Sequence, residues 1–266
     1  MVNDDLEQRR STRLRSYAIS QALARLDTER PGFSPEAIVA AICAYEEEGN
    51  IAHVLEKMPA SVNGEPYTTL VVVDGGDDRT AEIARSFPGV VVIEFPVNLG
   101  HGVALQVAYR YCVNHEVKYV VTLDADGQND PSEIPQILVP LLADTSDFVL
   151  GSRVLGVDKT ADKVRKLGVR FFSFIMNRMT GSHITDTSTG YRALRVTMLA
   201  DVVDRLRQQQ YQTSELLITC LKRGWRVSEV PTEWYPRVSG ETKKGTTWTY
   251  GFRYARVVFG TWWRER

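Results

Sequence analysis

Two aspartates and a glutamine at two-residue spacing, Asp124, Asp126 and Gln128, form the strongest candidate for chemistry in this sequence. They follow the apolar run from Tyr119 to Leu123, which predicts a buried strand. Because side chains alternate along extended chain, Asp124 and Asp126 point the same way, and Gln128 joins them if the chain stays extended. Carboxylate and amide oxygens at the carboxyl end of a strand favour Mg²⁺ or Mn²⁺ holding a diphosphate.

Two other interpretations of this pattern were weighed. An EF-hand calcium loop also opens with Asp-x-Asp, but it needs Glu at its twelfth position, and counting from Asp124 that position holds Pro135. A bare Asp-x-Asp is also common in solvated turns. The position at a predicted strand end favours the metal site.

Composition predicts a globular intracellular protein. The chain has 266 residues, of which 43% are hydrophobic and 24% charged, enough to bury a full core. Its three cysteines are far apart in apolar stretches, which favours neither a disulfide framework nor a zinc site and fits a reducing cytoplasm. The N-terminus lacks the apolar core of a signal peptide, and no run of 18 apolar residues occurs. We therefore expect a cytoplasmic protein that does not span a membrane.

Charge is divided between the two halves of the chain. Residues 1–152 carry 11 basic and 23 acidic side chains, whereas residues 153–266 carry 21 basic and 10 acidic ones. An acidic half that holds a cation and a basic half that holds anions suit a metal-dependent enzyme with a phosphorylated substrate, although most of these charges belong to solvated surfaces.

The hydrophobic pattern predicts an α/β fold. Residues 5–30 form an amphipathic helix with Ile19, Leu23 and Leu26 on one stripe, and from Ile38 to Leu150 strands alternate with helices. Such alternation predicts a Rossmann-like, mainly parallel sheet with helices on both faces. After Gly151 we expect helices near 163–179, 197–207 and 214–223, a polar turn at 186–192 and a strand at 225–230. The predicted domains are an N-terminal helical appendage at 1–34, a catalytic domain at 35–245 and a C-terminal amphipathic helix at 246–266.

Several motifs occur in a fixed order along this pattern. Beside the Asp124–Gln128 stretch they are Cys43–Glu48, Val72–Thr80, Asn98–Gly102, Gly151–Arg153, Asp186–Arg192, Gln212–Leu217, Glu229–Pro231 and Arg237–Lys243. Together they resemble the family-two GT-A glycosyltransferases, most closely the dolichol-phosphate (polyprenyl-phosphate) mannose synthase branch. The resemblance covers about residues 38 to 244 and implies a GT-A fold and an inverting hexosyltransferase.

The resemblance also implies which residues bind the donor. In the family these strand ends hold a nucleotide sugar, here a GDP- or UDP-sugar. The donor contacts implied are Ala44, Tyr45, Glu47, Asp74, His101, Asp124 and Asp126, and the metal ligands are Asp124, Asp126 and Gln128. The motif that contains Asp74 is one residue shorter than usual, which leaves the base of the nucleotide open.

Two acceptor classes follow from the chemistry of an inverting displacement. A soluble hydroxyl acceptor needs a general base, for which Asp186 and Glu215 are the candidates beside the catalytic Asp126. A polyprenyl phosphate needs no base, because its second pKa is about 6. It needs cations instead, and the arginines at motif positions or on the following helix are Arg153, Arg165, Arg170, Arg192 and Arg237. These basic motifs favour the lipid phosphate.

The last predicted helix offers a membrane-binding surface. Its aromatic stripe is Trp248, Phe252, Ala255, Phe259 and Trp262, and its polar face carries Thr249, Arg253, Arg256 and Arg264. A basic helix with an aromatic stripe suits peripheral binding at the inner face of the membrane. Packing on the protein's own core, or pairing of protomers in a homo-oligomer, explains such a stripe equally well.

Other classes of protein fit less well. No nucleic-acid partner is expected. A dinucleotide dehydrogenase is disfavoured because no Gly-x-Gly-x-x-Gly follows the first strand. A non-catalytic nucleotide-sugar binder is disfavoured because Asp124, Asp126, Gln128 and Asp186 are all present.

Overall fold

The computed structural model describes the backbone of residues 2–160, 163–240 and 247–266, and the side chains of residues 13–160, 166–240 and 254–266. The strands are β1 Ile38–Ala44, β2 Thr68–Val73, β3 Val91–Glu94, β4 Tyr119–Asp124, β5 Phe148–Asp158, β6 Arg192–Arg195 and β7 Val227–Trp234. The helices are α1 Val2–Glu29, α2 Ile51–Glu56, α3 Thr80–Ser86, α4 His101–Asn114, α5 Ile134–Leu142, α6 Lys163–Thr180, α7 Val196–Val202, α8 Gln212–Lys222 and α9 Thr247–Arg264.

The strands form one mixed sheet in the order β3-β2-β1-β4-β6-β5-β7. β3, β2, β1 and β4 are parallel, and β7 is parallel to β5, while β6 runs antiparallel to both of its neighbours. Every residue of β1 is buried and apolar, because helices cover both faces of the sheet. The hydrophobic core is accordingly divided into two clusters. The predicted mainly parallel α/β fold is confirmed.

Two features of the sheet differ from the sequence prediction. β6 was missed, because four residues directly after a polar turn carry too short a pattern to separate a strand from a loop. β5 was expected to end at Leu150 but continues to Asp158, where it pairs with β7 after a shift in register between Ser152 and Val157. The apolar run stops at Gly151, but the backbone pairing does not.

Helix α1 packs on the sheet domain through the predicted stripe. Ile19 and Leu26 are buried in the same cluster as residues of α4 and β3, and Leu23 packs against it. The stripe is therefore confirmed, and the described part of α1 is docked on the domain. Among the helices the structure describes, none is both long and apolar enough to cross a bilayer.

After β7 the chain returns to the end of β4 through residues 235–240, here called the crossing segment. The Tyr235 N–H donates to the Gln128 carbonyl at 2.9 Å, and the Val238 N–H lies 3.5 Å from the Asp126 carbonyl. Asn50, at the start of α2, accepts from the Ser239 N–H at 2.8 Å. The basic second half of the chain is thereby brought across the acidic strand ends.

Glu133 links the segment after β4 to β7. Its carboxylate accepts the Glu233 N–H at 3.0 Å, and its pKa is raised from 4.5 to about 7, chiefly because the carboxyl is partly buried and further because Asp130 and Glu233 lie nearby. Since the folded protein holds this proton more tightly than the unfolded chain, the group makes the fold less stable as pH rises from 4.5 to about 7.

Glu133→Gln keeps an acceptor for this N–H and removes the charge. We expect it to raise the free energy of unfolding at pH 8 by roughly 1 kcal/mol, a value reduced for partial exposure, and to change little at pH 4. Thermal unfolding at the two pH values measures this. Glu233→Gln is the control, because Lys159 lowers the pKa of that carboxyl. If Glu133→Gln destabilised the protein equally at both pH values, the negative charge of Glu133 would not be what destabilises the fold at high pH.

Candidate active site

The predicted donor residues meet at one edge of the sheet. β1 pairs with β2 on one side and β4 on the other, with Ala44 opposite Val73 and Cys43 opposite Asp124. Asp74 follows β2 directly, so Ala44, Asp74 and Asp124 end three neighbouring parallel strands at the same edge. This is the edge at which open α/β sheets bind ligands.

Asp124 lies between two loops. Its Oδ1 is 3.8 Å from Nε2 of His101, the first residue of α4. On the other side, a Cβ placed on Gly190 would lie 3.1 Å from Asp124 Oδ2, so the backbone of this turn approaches the carboxylate closely. The Asp186–Arg192 turn is therefore placed against the acidic strand end.

Asp126 and Gln128 face the crossing segment. Asp126 accepts the Gln128 N–H at 3.0 Å, and its Oδ2 is 3.4 Å from Nη1 of Arg237. The Gln128 amide donates to the Tyr235 carbonyl at 3.3 Å. Between them Gly127 has φ +74°, and a Cβ there would lie 2.7 Å from a methyl of Val238, so this turn requires glycine.

These residues fit a divalent cation shared with a diphosphate. Among the described side chains, no group of three His, Cys, Asp or Glu residues is placed to hold a metal alone. Two strand-end carboxylates are the donor set that Mg²⁺ uses when substrate phosphates and water complete its shell. Asp124 and Asp126 would hold the ion, with Gln128 beside them.

Asp74 supports the donor loop, residues 98–102, more than it faces the cleft. It is 2% exposed, and its two oxygens accept the N–H groups of Leu99 at 2.8 Å and Gly100 at 2.9 Å. Burial raises the pKa of this carboxyl to about 6. Gly75 has φ +71°, and a Cβ there would be 2.4 Å from the Val97 backbone, which accounts for glycine at this point of the motif.

Glu47 and Arg237 form an ion pair beyond the end of β1. Glu47 is nearly buried, its N–H donates to Thr80 at 2.7 Å, and its carboxylate accepts from Asn50 at 2.6 Å and from Arg237. An open pocket of about 550 Å³ is lined by Arg237 and Asn50 and by the acidic side chains of Glu46, Glu48, Asp77 and Asp78. Tyr45, which follows β1, is half-buried. Asn50 was not predicted as a site residue, because its only signal in the sequence is a polar side chain three positions after Glu47.

Arg237 was predicted to hold an acceptor phosphate, but its partners lie on the donor side. It bridges Glu47 and Asp126, one predicted base-side residue and one predicted metal ligand. The remaining motif residues after Gly240, Glu241 to Lys243, lie outside the described residues.

Arg153 and Asp186 form a buried pair. Arg153 donates to both carboxylate oxygens at 2.7 and 3.1 Å and also to Ser188 at 2.8 Å, and its guanidinium stacks 4.3 Å from the Trp234 ring. The Asp186 N–H donates in turn to Glu229 at 2.8 Å. Asp186, predicted as a possible general base, is thus fully buried and engaged by a cation.

Two further predicted residues, Arg192 and Glu215, are buried. Arg192 is fully buried, and its guanidinium donates to the carbonyls of Thr187, Thr189 and Thr213, so it holds the turn instead of facing a phosphate. Glu215 is also fully buried, which does not suit a general base. Arg170 is exposed on α6, and the side chain of Arg165 lies outside the described residues.

The fold is that of the GT-A glycosyltransferases. Glucosyl-3-phosphoglycerate synthase from Mycobacterium tuberculosis, solved with Mn²⁺, uridine diphosphate and phosphoglyceric acid, has a similar fold. Its TM-score is 0.67 at 18% identity, over 90% of this chain and 82% of that one.

The sequence places the chain within this class. Residues 39–218 match glycosyl transferase family 2, and the protein belongs to that family. It is 33% identical to the dolichyl-phosphate hexose transferase of Haloferax volcanii, over 75% of this chain and 82% of the relative. It is 28% identical to the UDP-N-acetylglucosamine–dolichyl-phosphate N-acetylglucosaminyltransferase of Methanococcus voltae, over 71% and 82% respectively.

The position of Arg237 predicts opposite effects on metal and nucleotide. Arg237→Gln removes a cation from Asp126 and should tighten Mn²⁺ binding roughly tenfold, because the ion no longer competes with the guanidinium. Binding of UDP or GDP with Mn²⁺ should weaken about tenfold, because a guanidinium binds phosphate oxygens strongly. Isothermal titration measures both affinities.

Arg25→Gln, which breaks an exposed pair with Glu29 on α1, is the control. The prediction is wrong if Arg237→Gln leaves the Mn²⁺ and nucleotide affinities unchanged and raises the KM for a lipid phosphate. Arg237 would then bind the acceptor phosphate.

Proposed function

We propose that this protein transfers a sugar, with inversion, from a nucleotide-sugar donor to a polyprenyl phosphate. The observation that carries the choice of acceptor is the engagement of both candidate bases. Asp186 is bound by Arg153, and Glu215 is fully buried. A hydroxyl acceptor needs one of them to remove a proton, whereas a phosphate with a second pKa of about 6 attacks as an anion.

The donor side supplies charge and position. Ala44, Tyr45 and Glu47 line the nucleotide side, and Asp124 and Asp126 present carboxylates at the strand ends. When bound, Mg²⁺ or Mn²⁺ would stabilise the negative charge that develops on the leaving diphosphate. Arg237 is placed to contact the same phosphates. The fold resemblance to a protein solved with Mn²⁺ and uridine diphosphate supports this assignment.

The acceptor side supplies cations. Arg153 is buried, with Asp186, Ser188 and the Trp234 ring as its partners, and so orders the Asp186–Arg192 turn. The exposed Arg170 lies on the helix that follows β5. Planar guanidiniums bind phosphate oxygens in pairs, so an exposed arginine such as Arg170 suits an anionic acceptor better than a neutral one. The dolichyl-phosphate substrates in the names of the two relatives support the same class.

A surface formed by α6 and α9 is suited to a membrane. On α6, Leu167, Phe171 and Phe174 are 71%, 57% and 69% exposed at helical spacing, with the exposed Arg170 and Arg178 on the same helix. α6 packs against α9, where Phe259 and Trp263 are 51% and 69% exposed. Two adjoining helices that expose aromatic side chains and arginines suit the bilayer interface.

The aromatic stripe predicted on α9 is divided between two roles. Phe259 is exposed, but Trp262 packs on the core and its indole N–H donates to the Met179 carbonyl at 2.8 Å. Packing on the core, the alternative interpretation, is therefore correct for Trp262. The side chains of Trp248 and Phe252 lie outside the described residues. We place the protein as a peripheral one at the inner face of a membrane.

Turnover with a panel of donors tests the proposed function. GDP- and UDP-sugars are each incubated with Mg²⁺ or Mn²⁺ and with undecaprenyl phosphate, a prenyl alcohol or phosphoglyceric acid, and products are identified by mass spectrometry. We expect a glycosyl phosphate on the lipid alone, and at least about a hundredfold lower turnover for Asp126→Asn. Transfer only to a hydroxyl or to phosphoglyceric acid would contradict the proposal.

Vesicle flotation tests the membrane surface. Phe171→Glu with Phe174→Glu should abolish flotation with anionic vesicles at low salt, because it removes buried apolar area and adds negative charge. Val139→Glu with Leu142→Glu, which changes two exposed apolar side chains on α5, should float like the wild type. Equal flotation of all three proteins would show that α6 is not the docking surface.

A further inference from the structure

The carboxylate of Glu215 lies where four parts of the chain meet. It is fully buried in the first turn of α8, and its Oε2 accepts the N–H groups of Arg207 and Gln208, each at 2.9 Å. Its Oε1 lies 3.0 Å from Nη2 of Arg264, near the end of α9, in an ion pair that is not aligned for a hydrogen bond. From α1, Arg15 donates to the Arg207 carbonyl.

Residues 206–211, here called the supporting loop, rest directly on the donor loop. The Gly102 N–H donates to the Gln209 carbonyl at 2.7 Å. A Cβ on Gly100 would lie 2.8 Å from that carbonyl oxygen, and a Cβ on Gly102 would lie 2.4 Å from the Gln208 carbonyl oxygen. The two backbones are in contact, so a displacement of one loop must displace the other.

The supporting loop needs to be held in place. Tyr211, at its end, has φ +59°, a left-handed conformation that costs a non-glycine residue about 1 kcal/mol or more and persists only where surrounding contacts impose it. Glu215 provides two of those contacts by accepting consecutive backbone N–H groups. Its own buried charge is balanced by the ion pair with Arg264 and by the charge of Arg15 on α1, since an uncompensated carboxylate in the core is strongly unfavourable.

We propose that Glu215 is a positioning residue for the donor loop, and that the C-terminal helix α9 acts on nucleotide binding through the Arg264–Glu215 pair. A displacement of α9 that withdraws Arg264 removes the ion-pair partner of Glu215 and leaves the charge of Arg15. This loosens the supporting loop and with it the Gly100–Gly102 backbone, which Asp74 holds from the other side. Because α9 also exposes Phe259 and Trp263, binding of that helix to a bilayer would change the affinity for a nucleoside diphosphate. The ligand's identity rests on the proposed function, whereas the link between the loops does not.

Hydrogen–deuterium exchange tests the link without any ligand. Arg264→Gln should speed exchange about fivefold or more in peptides that cover 98–104 and 206–211, and leave peptides from β1 and β4 unchanged. Arg264→Lys, which keeps the charge, should restore most of the protection. Arg110→Gln is the matched control, because it breaks an exposed pair between α4 and Asp204, just before the same loop.

Nucleotide binding gives the second measurement. Kd for UDP and for GDP with Mn²⁺ should rise about fivefold or more in Arg264→Gln and in Glu215→Gln, and the double variant should be no weaker than the weaker single one, because both act through one pair. Wild-type exchange in Arg264→Gln, or faster exchange throughout the chain, would overturn the proposal. If Glu215→Gln does not fold, Arg264→Gln and Arg264→Lys decide alone. If the wild type binds neither nucleotide, the proposed function is contradicted. Hydrogen–deuterium exchange would still decide whether Arg264 and Glu215 hold the donor loop through the supporting loop.

Discussion

The concentration of negative charge at one edge of the sheet is the constraint on which the rest of this structure depends. Glu47 and Asp126 are both close enough to share one guanidinium, and Asp124 ends the strand that leads to Asp126. Two like charges about 4 Å apart repel by roughly 4 kcal/mol at an effective dielectric constant of 20, so such an edge needs a cation. Arg237 fills that need in this structure, and a divalent ion with a diphosphate would fill it during catalysis.

The course of the second half of the chain follows from this need. Strand β6 reverses direction between β4 and β5, which lets the Asp186–Arg192 turn reach Asp124 through Gly190. β7 then extends the sheet, and the crossing segment returns Arg237 to the acidic edge. The basic and acidic halves of the sequence thus face each other across one cleft, as their opposite charges indicated.

The Arg153–Asp186 pair obeys a different rule, because its two charges are buried together. Burying Arg153 and Asp186 costs a desolvation free energy that their mutual attraction only partly offsets. The pair therefore fixes orientation more than it stabilises the fold. Glu229 and Trp234 hold the two partners in turn.

Much of the fold could be predicted from the sequence, because long apolar runs and their alternation report burial directly. The strand-end position of Asp124, Asp126 and Asp74 follows from that alternation alone. The roles of Arg192, Glu215 and Arg237 could not be predicted, because each depends on a contact between residues far apart in the chain. The residue type alone does not show whether an arginine in a motif contacts a phosphate, donates to three carbonyls or bridges two carboxylates.

We propose that Asp124 and Asp126 hold a metal–diphosphate complex that displaces Arg237, and the chemistry of the site depends on this step. Crystals grown with Mn²⁺ and UDP, measured at a wavelength where manganese scatters anomalously, test it directly. We predict one strong anomalous peak within coordination distance of Asp126 and of the diphosphate, with Arg237 moved from Asp126 to a phosphate oxygen. A peak elsewhere, or nucleotide bound with the Arg237–Asp126 contact intact, would contradict the account.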